Sequence, residues 1–390
     1  MPPQNPPIYL DHAATTPVRP EVLDAMTPFF GPRFGNPSST HRWGREARAA
    51  LDEARERVAR CLGAAPDEIA FTSGGTEGDN LAVLGGWRIC RDTGRKAVVS
   101  TPIEHKAVLQ AVHQAGKEGA EERFINVRAD GTVDLDDARQ KITAGDTAVV
   151  SVMWINNETG VIQPIAELAA LAKAAGACFH TDAVQAFGKL EIDAKKIPFD
   201  YLAVSGHKLG APKGIGAFFV RRGAALEPLF FGGSQERLRR PGTENVAAAV
   251  GLARAMELAV AEREAHWAEL EQMRNDLEAA LTERIPDAVI HGRGAPRAPH
   301  ILNISVPGTD SESLLMALDL KGVAASSGSA CQSGGVTPSH VLAAMGVRAD
   351  VANAAIRMSF GSMSTPADVA RVAELFPALI AKARGLSGVS

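Results

Sequence analysis

Little in this 390-residue chain is present in excess. Lys and Arg number 41 against 45 Asp and Glu, a formal charge of −4, so there is no basic surplus to neutralise a phosphate backbone and direct nucleic-acid binding is not expected. No apolar run approaches the roughly 18 residues needed to cross a bilayer, so no membrane association is expected. The opening Met1-Pro2-Pro3-Gln4-Asn5-Pro6-Pro7 lacks the basic and apolar segments of a secretory leader. There are only four cysteines (Cys61, Cys90, Cys178, Cys331), none in a C-x-x-C pair, which excludes a sequence-local zinc cage and argues against a disulfide framework. No Walker loop, internal repeat or low-complexity tract is found. What remains is an ordinary apolar fraction of 45%, enough for a packed core and too high for global disorder. The expectation is a reduced, cytoplasmic protein.

Through the first two-thirds, short β-rich runs alternate with amphipathic stretches. The runs are Ile69–Thr72, Ala97–Ser100, Ala148–Met153, Ala177–His180, Tyr201–Val204 and Ile215–Val220. Between them lie helical patterns at Arg45–Leu62, Glu77–Arg91, Lys106–Gly116 and Ile165–Ala175. This alternation predicts an α/β fold with a mostly parallel sheet covered on both faces. Trp267, Leu270, Met273, Leu277, Leu281 and Ile285 then form one stripe of a 3.6-residue period. Beyond Pro286 the pattern changes to strand-like Ile301–Val306 and Ala355–Phe360, helix-like Ser311–Leu320 and a terminal helix, which predicts a smaller α+β domain. The expected division is a large domain over 16–255, with 1–15 and 256–390 forming the small one.

Ligands of open parallel sheets bind beyond the carboxyl ends of the strands. Five successive strand ends here carry compact polar groups: Ser73-Gly74-Gly75-Thr76-Glu77, Glu104-His105-Lys106, Asn156–Gly160, Asp182–Gln185 and Ser205-Gly206-His207-Lys208. Two glycines before a helix let its free N–H groups approach an anion, although Ser or Thr before a carboxylate is also an ordinary helix cap. Asp182, after an apolar strand, either caps a turn or holds a proton on a heteroaromatic nitrogen. Most lysines are solvated. Lys208, at a strand end among small residues, has the setting in which a lysine loses basicity and forms a Schiff base. The same residues fit Ser-x-x-Lys of the penicillin-recognising hydrolases, but the companion Ser-Asp-Asn and Lys-Thr-Gly motifs are absent. Arg357, inside a mostly apolar strand, needs an anionic partner, either a structural carboxylate or a bound one. Cys61 and Cys90 lie in helical stripes and Cys178 begins an apolar strand, so these three read as packing residues. Cys331 lies instead in the Ser- and Gly-rich stretch at about 325–335, a pattern of exposed functional loops.

A phosphate-type turn, a strand-end Asp and a strand-end Lys, in that order, resemble the fold-type I enzymes that use pyridoxal 5′-phosphate (PLP). More closely, the chain resembles a cysteine desulfurase of the class V aminotransferase family, the type that serves iron–sulfur assembly. The matching stretches run in family order through Tyr9–Thr16, Phe34–Ser39, Thr72–Asn80, Glu104-His105, Asn156–Gly160, His180–Gln185, Ser205–Lys208, Arg239–Asn245 and Ser326–Cys331. The wording around Met153-Trp154 and the short C-terminus resemble the nitrogen-fixation branch. The resemblance implies that Lys208 carries PLP covalently, Asp182 pairs with its pyridine nitrogen and Gln185 bonds its phenolic oxygen. It implies a phosphate held by Gly75, Thr76, Ser205 and His207, with Thr243 reaching the phosphate of the neighbouring subunit in a homodimer. His105 would stack on the ring, Asn157 and Arg357 would bind the carboxylate of L-cysteine, and Cys331 would accept the sulfur as a persulfide, releasing alanine. A protein acceptor such as an iron–sulfur scaffold is the implied partner. Two positions depart from the family pattern: His12 replaces the usual Asn or Tyr, and Gly78 replaces Ser or Ala, a change that costs a helix up to ~1 kcal/mol. An aminotransferase or β-lyase without a protein thiol, a selenocysteine lyase, or an inactive scaffold are the alternatives that the residues leave open.

Overall fold

The computed structural model describes residues 6–327 and 338–387. Twelve strands occur among them: β1 (Ile8–Tyr9), β2 (Ile69–Thr72), β3 (Ala97–Ser100), β4 (Glu121–Phe124), β5 (Thr147–Ser151), β6 (Cys178–Asp182), β7 (Tyr201–Ser205), β8 (Gly216–Val220), β9 (Val289–Ile290), β10 (Ile301–Ser305), β11 (Val323–Ala324) and β12 (Ala355–Ser359). Seven form one sheet in the order β2-β8-β7-β6-β5-β3-β4. The run from β7 to β4 is parallel, and β8 is antiparallel to both its neighbours.

Strand alternation divides this sheet's side chains between two faces. Phe71, Val99, Val150, Phe179, Leu202 and Phe219 pack with the helices Arg42–Cys61, Ile165–Ala175 and Val246–Ala261. Val98 and Val149 face the other way, against Trp87 and the helix Lys106–Lys117, and Ala148, left over by a register shift between β3 and β5, joins the same cluster. The pattern at Glu77–Arg91 forms one helical rod over 75–91, interrupted by a single wide turn at Leu81–Gly85. Glycine at 78 has a packing reason: a Cβ there would lie 2.9 Å from the Ala203 Cβ on β7. The missing methyl lets the rod lie against the sheet.

The second apolar cluster joins Ile8 and Leu10 to Leu270, Met273, Leu277, Leu302, Ile356 and Phe376. Here the antiparallel strands β12-β10-β9 lie beside the helices Arg263–Arg284, Ser311–Asp319 and Pro366–Ser387. Strand β1 pairs in parallel with β11, so the N-terminal segment belongs to this cluster before crossing to the large sheet.

The sequence-based set lacks the two-residue strands β1, β9 and β11, and two longer strands need correction. Strand β4 is absent from the sequence-based set: its residues, Glu-Glu-Arg-Phe, are exposed or half-buried at the sheet edge, where charge replaces apolar alternation. The strand expected at Ala148–Met153 ends at Ser151: Val152 stays in the core with its N–H donating to the His180 carbonyl at 3.1 Å, and the next N–H, of Met153, donates to Glu104 instead.

Candidate active site

At the carboxyl ends of the parallel strands lies a cavity of about 940 Å³. It is lined by Gly75, Thr76, His105, Asn157, Asp182, Gln185, Ser205, His207, Lys208 and Arg357, together with Ala13, Ala14, Asp79, Met153, Val184 and Ser326. Ten of the twelve sequence-derived candidates therefore meet in one space. Thr243 does not: it lines a separate cavity of about 600 Å³ with Ser73, Glu236 and Arg240. Cys331 lies outside the described residues.

Lys208 follows β7 in a short turn, and its Nζ donates to the carbonyls of Ala13 and Ala14, both at 2.5 Å. Burial, reinforced by Arg357, pushes its ammonium down to about 8. An amine that easily loses its proton is a usable nucleophile and base near neutrality. The two carbonyls come from the N-terminal segment, which is fixed across the turn. Thr16 donates through N–H and Oγ1 to the His207 carbonyl, both at 2.9 Å, and His207 Nδ1 lies 3.1 Å from Thr15 Oγ1. Burial lowers His207 to about 4, so that ring is neutral.

Asp182 closes β6. One carboxylate oxygen accepts from the Val184 N–H at 2.8 Å, and burial raises its pKa, opposed by the positive potential of His105 and Lys208. Asp79, also buried and lining the cavity, has Oδ1 without a hydrogen-bond partner, 3.5 Å from His180 Nε2. Desolvation raises the Asp79 carboxyl well above its ordinary range. Opposite, the rod over 75–91 begins at Gly75 with its first N–H groups free of intrahelical partners. A Cβ on Gly75 would stand 2.6 Å from the Val184 methyl, so glycine is what lets the helix start close against the Asp182 turn.

His105 caps the helix Lys106–Lys117, its Nδ1 accepting from the Ala107 N–H at 3.1 Å. In the neutral ring the proton therefore sits on Nε2. Burial by the surrounding walls pushes His105 below its ordinary range. The residue beside it, Glu104, is fully buried and accepts from Thr101 Oγ1 at 2.6 Å and from the Met153 N–H at 3.0 Å. It ties the ends of β3 and β5 together, a role that sequence reasoning did not assign. Asn156 organises the next turn, its Oδ1 accepting from the N–H groups of Glu158 and Thr159, which leaves Asn157 at the cavity wall.

Arg357 is only 4% exposed. Of the two partners left open above, the structural one is present: Nη2 lies 2.8 Å from Asp11 Oδ1, and Nη1 donates to the Asn157 carbonyl at 2.8 Å. Its Nε has no partner among the described residues. Ser326 and Arg357 exchange two backbone hydrogen bonds, at 3.1 and 2.6 Å, so the chain leading to residue 328 starts at the cavity wall. Of the other cysteines, Cys178 is half-buried, and so are Cys61 and Cys90. Burial raises Cys61 to about 11, whereas a hydrogen bond from Cys178 lowers Cys90 to about 7.

These residues fit PLP. A buried carboxylate lacking a cation, a depressed lysine and a helix N-terminus suit a ring nitrogen, an aldehyde and a phosphate respectively. The unpartnered Arg357 Nε adds a point for an anion beside them.

The model of the aminotransferase class-V family matches residues 8–372. A protein named cysteine desulfurase IscS from Dictyoglomus turgidum is 42% identical over 97% of this chain and 96% of its own length. The cysteine desulfurase NifS of Azotobacter vinelandii is 44% identical over 97% of this chain and 94% of its own. Among solved structures, a NifS-like protein superposes with a TM-score of 0.90 at 34% identity, covering 96% of this chain and all of the other (100%). SspA in complex with cysteine gives 0.80 at 33% identity, covering 90% of this chain and 98% of its own. The chain belongs to the class-V aminotransferase family.

Proposed function

We propose that this class-V aminotransferase family member is a PLP-dependent cysteine desulfurase, converting L-cysteine to L-alanine and passing the sulfur to Cys331 for iron–sulfur assembly. The observation that carries the reading is the convergence of Lys208, Asp182 and the Gly75 helix start on one cavity, in a chain 42–44% identical to named cysteine desulfurases. PLP, when bound, supplies an electron sink for charge developing at the substrate's α-carbon. Lys208 would be its covalent anchor, Asp182 would pair with the ring nitrogen and Gln185 with the phenolic oxygen, and Gly75, Thr76, Ser205 and His207 would hold the phosphate. His105 covers the ring. Arg357 and the Asn157 side chain hold the substrate carboxylate, where the guanidinium fork gives two parallel hydrogen bonds.

Lys208, once free of its anchor role, takes the proton from the α-carbon. Its low basicity matters here, because an amine titrating near 8 is partly unprotonated at working pH. The Cys331 thiolate attacks the substrate sulfur, the carbon–sulfur bond breaks, and the sulfur remains on Cys331 as a persulfide. The β-carbon of the departing fragment takes up a proton, giving alanine. Cys331 is five residues beyond Ser326 in sequence, and Ser326 lines the cavity. His105, whose Nε2 carries the proton because Nδ1 accepts from Ala107 N–H, would exchange it in this step.

A homodimer is part of the proposal, supported by large exposed apolar side chains at Phe34, Trp43, Phe230, Phe231 and Leu238. Thr243, which opens on a different cavity of its own chain, would then serve the partner's phosphate. No described helix is long and apolar enough to cross a membrane, and we assign the enzyme to the cytoplasm. Relatives named IscS and NifS match almost equally. The acceptor is therefore proposed at the level both names share, an iron–sulfur scaffold, with nitrogen-fixation clusters as the narrower assignment.

The deciding experiment is mass spectrometry of the holoprotein after incubation with L-cysteine. One added sulfur atom on the Cys331 peptide, with alanine released, is expected. Cys331→Ser should keep the cofactor and form no persulfide; rapid sulfide release by that variant would overturn the assignment.

A further inference from the structure

The Gln185 amide is held from two sides. Its Nε2 donates to the Ala13 carbonyl at 3.0 Å, and its Oε1 lies 3.1 Å from His300 Nε2. A carbonyl oxygen can only accept, so the amide nitrogen must face Ala13 and the amide oxygen must face His300. An amide oxygen also only accepts, so the hydrogen on the imidazole sits on His300 Nε2. Consistently, His300 is 4% exposed and its Nδ1, bare in this tautomer, has no partner among the described residues. Desolvation and the nearby Lys189, Arg357, His12 and Arg274 hold the ring well below its ordinary pKa, so it stays neutral.

We propose that His300 is a positioning residue: its Nε2–H locks the Gln185 amide so that the remaining N–H, a donor, is presented to the cavity. This rests on the PLP reading, in which the phenolic oxygen of the cofactor is the group facing Gln185. That oxygen carries negative charge and needs a donor. Without His300 only the Ala13 carbonyl opposes a turned-over amide, which would present its oxygen to the cofactor and place acceptor against acceptor. The charged and titratable groups around this pair are Lys208, Asp182, Asp79, His105 and Arg357 on the cofactor side, and Lys189, His12, His266, Arg274 and the Arg19–Glu262 pair behind it.

The test uses PLP-loaded enzyme and the pH at which its visible absorbance changes, a reading of proton affinity at the cofactor that a merely structural change leaves in place. A hydrogen bond to a charged group is strong enough that losing it moves such a midpoint by about one pH unit. The expected result is an upward shift of that size in His300→Leu. His300→Gln, whose amide N–H can still donate to Gln185, should return it toward the wild-type value. Gln185→Leu should shift it similarly, and the double variant should add nothing. A wild-type midpoint in His300→Leu, or equal shifts in His300→Leu and His300→Gln, would overturn the proposal. Nitrogen NMR of histidine-labelled, ligand-free wild type needs no variant to fold and no cofactor: it should find His300 neutral with its proton on Nε2, and the opposite tautomer would equally refute it. A wild-type protein that gains no absorbance with PLP would refute the PLP reading instead.

Discussion

Neutralising Asp11 should weaken the folded protein while strengthening its hold on amino acids. Asp11 Oδ1 lies 2.8 Å from Arg357 Nη2, with 20% of the aspartate side chain and 5% of the arginine side chain exposed. Breaking a buried pair by removing one partner costs about 3–5 kcal/mol. Asp11→Asn keeps an accepting oxygen, and the site is partly open to solvent, so the expected loss is nearer 1–2 kcal/mol. The same change removes a competitor. In the wild type, a substrate carboxylate shares the guanidinium with Asp11; in the variant it becomes the sole anion beside Arg357. Affinity for L-alanine, the product carrying the same carboxylate, should rise up to about tenfold, equivalent to ~1.4 kcal/mol.

Denaturant titration with and without alanine reads both effects. The variant should be less stable alone and gain more stability from alanine than the wild type does. The refuting result is specific. If alanine binds Asp11→Asn and Arg357→Met as it binds the wild type, Arg357 does not hold the substrate carboxylate and its only partners are those inside the protein. Asp11 also favours the charged form of Lys208, so the variant's cofactor absorbance should be followed in parallel to keep that effect apart.

Lys208→Ala should abolish both the protein-linked Schiff-base absorbance that remains after free PLP is removed and all turnover, checked by spectrophotometry and alanine release. Gly78→Ala should destabilise by about 1–2 kcal/mol, since overpacking against Ala203 exceeds the ~1 kcal/mol helix gain. Adding Ala203→Gly should recover most of that loss in denaturant titration, and additive effects would contradict the contact. His291 is 3% exposed and burial lowers it from 6.5 to about 4. The unfolded chain then binds the proton first, so stability present above pH 6.5 is lost as pH falls, by about 2 kcal/mol at pH 5. His291→Gln should flatten that dependence. Among the described cysteines, Cys90 should react first with iodoacetamide near neutrality, because it alone is lowered, to about 7; peptide mapping after brief labelling checks this.

Much of the site was legible because parallel sheets gather strand ends, and each end carried its polar group within a few residues of an apolar run. Lys208, Asp182 and the Gly75 turn needed only local pattern and that topological rule. What could not be read is separated in sequence and lacks a period. The partner of Arg357 lies 346 residues away at Asp11, and the carbonyls that hold Lys208 belong to Ala13 and Ala14, backbone groups to which side-chain identity gives no clue. Tyr9–Thr16 was visible as a motif, but its work is done by main-chain atoms. Gly78 looked like a pure helix penalty until its neighbour on β7 was known. Glu104 stood in a strand-end group and Asp79 within Thr72–Asn80, but neither was given a role, because burial of a charge shows only once the chain is folded.

The N-terminal segment therefore accounts for features that the strand ends alone do not. Residues 11–16 bond Arg357 through Asp11, Lys208 through two carbonyls, Gln185 through a third contact at Ala13, and His207 through Thr16. They are also fixed to β12, since Ala13 N–H donates to Ser359 Oγ at 2.9 Å and His12 Nδ1 lies 3.2 Å from the Ser359 carbonyl. His12 fits there because Gly361 has no side chain: a Cβ would stand 2.1 Å from the imidazole. One short stretch of chain thus connects the group proposed to hold the carboxylate with the amine proposed to move the α-proton. Arg357 and Lys208 are held by the same segment, one through the Asp11 side chain and the other through the Ala13 and Ala14 carbonyls, so its conformation sets the relative placement of both groups.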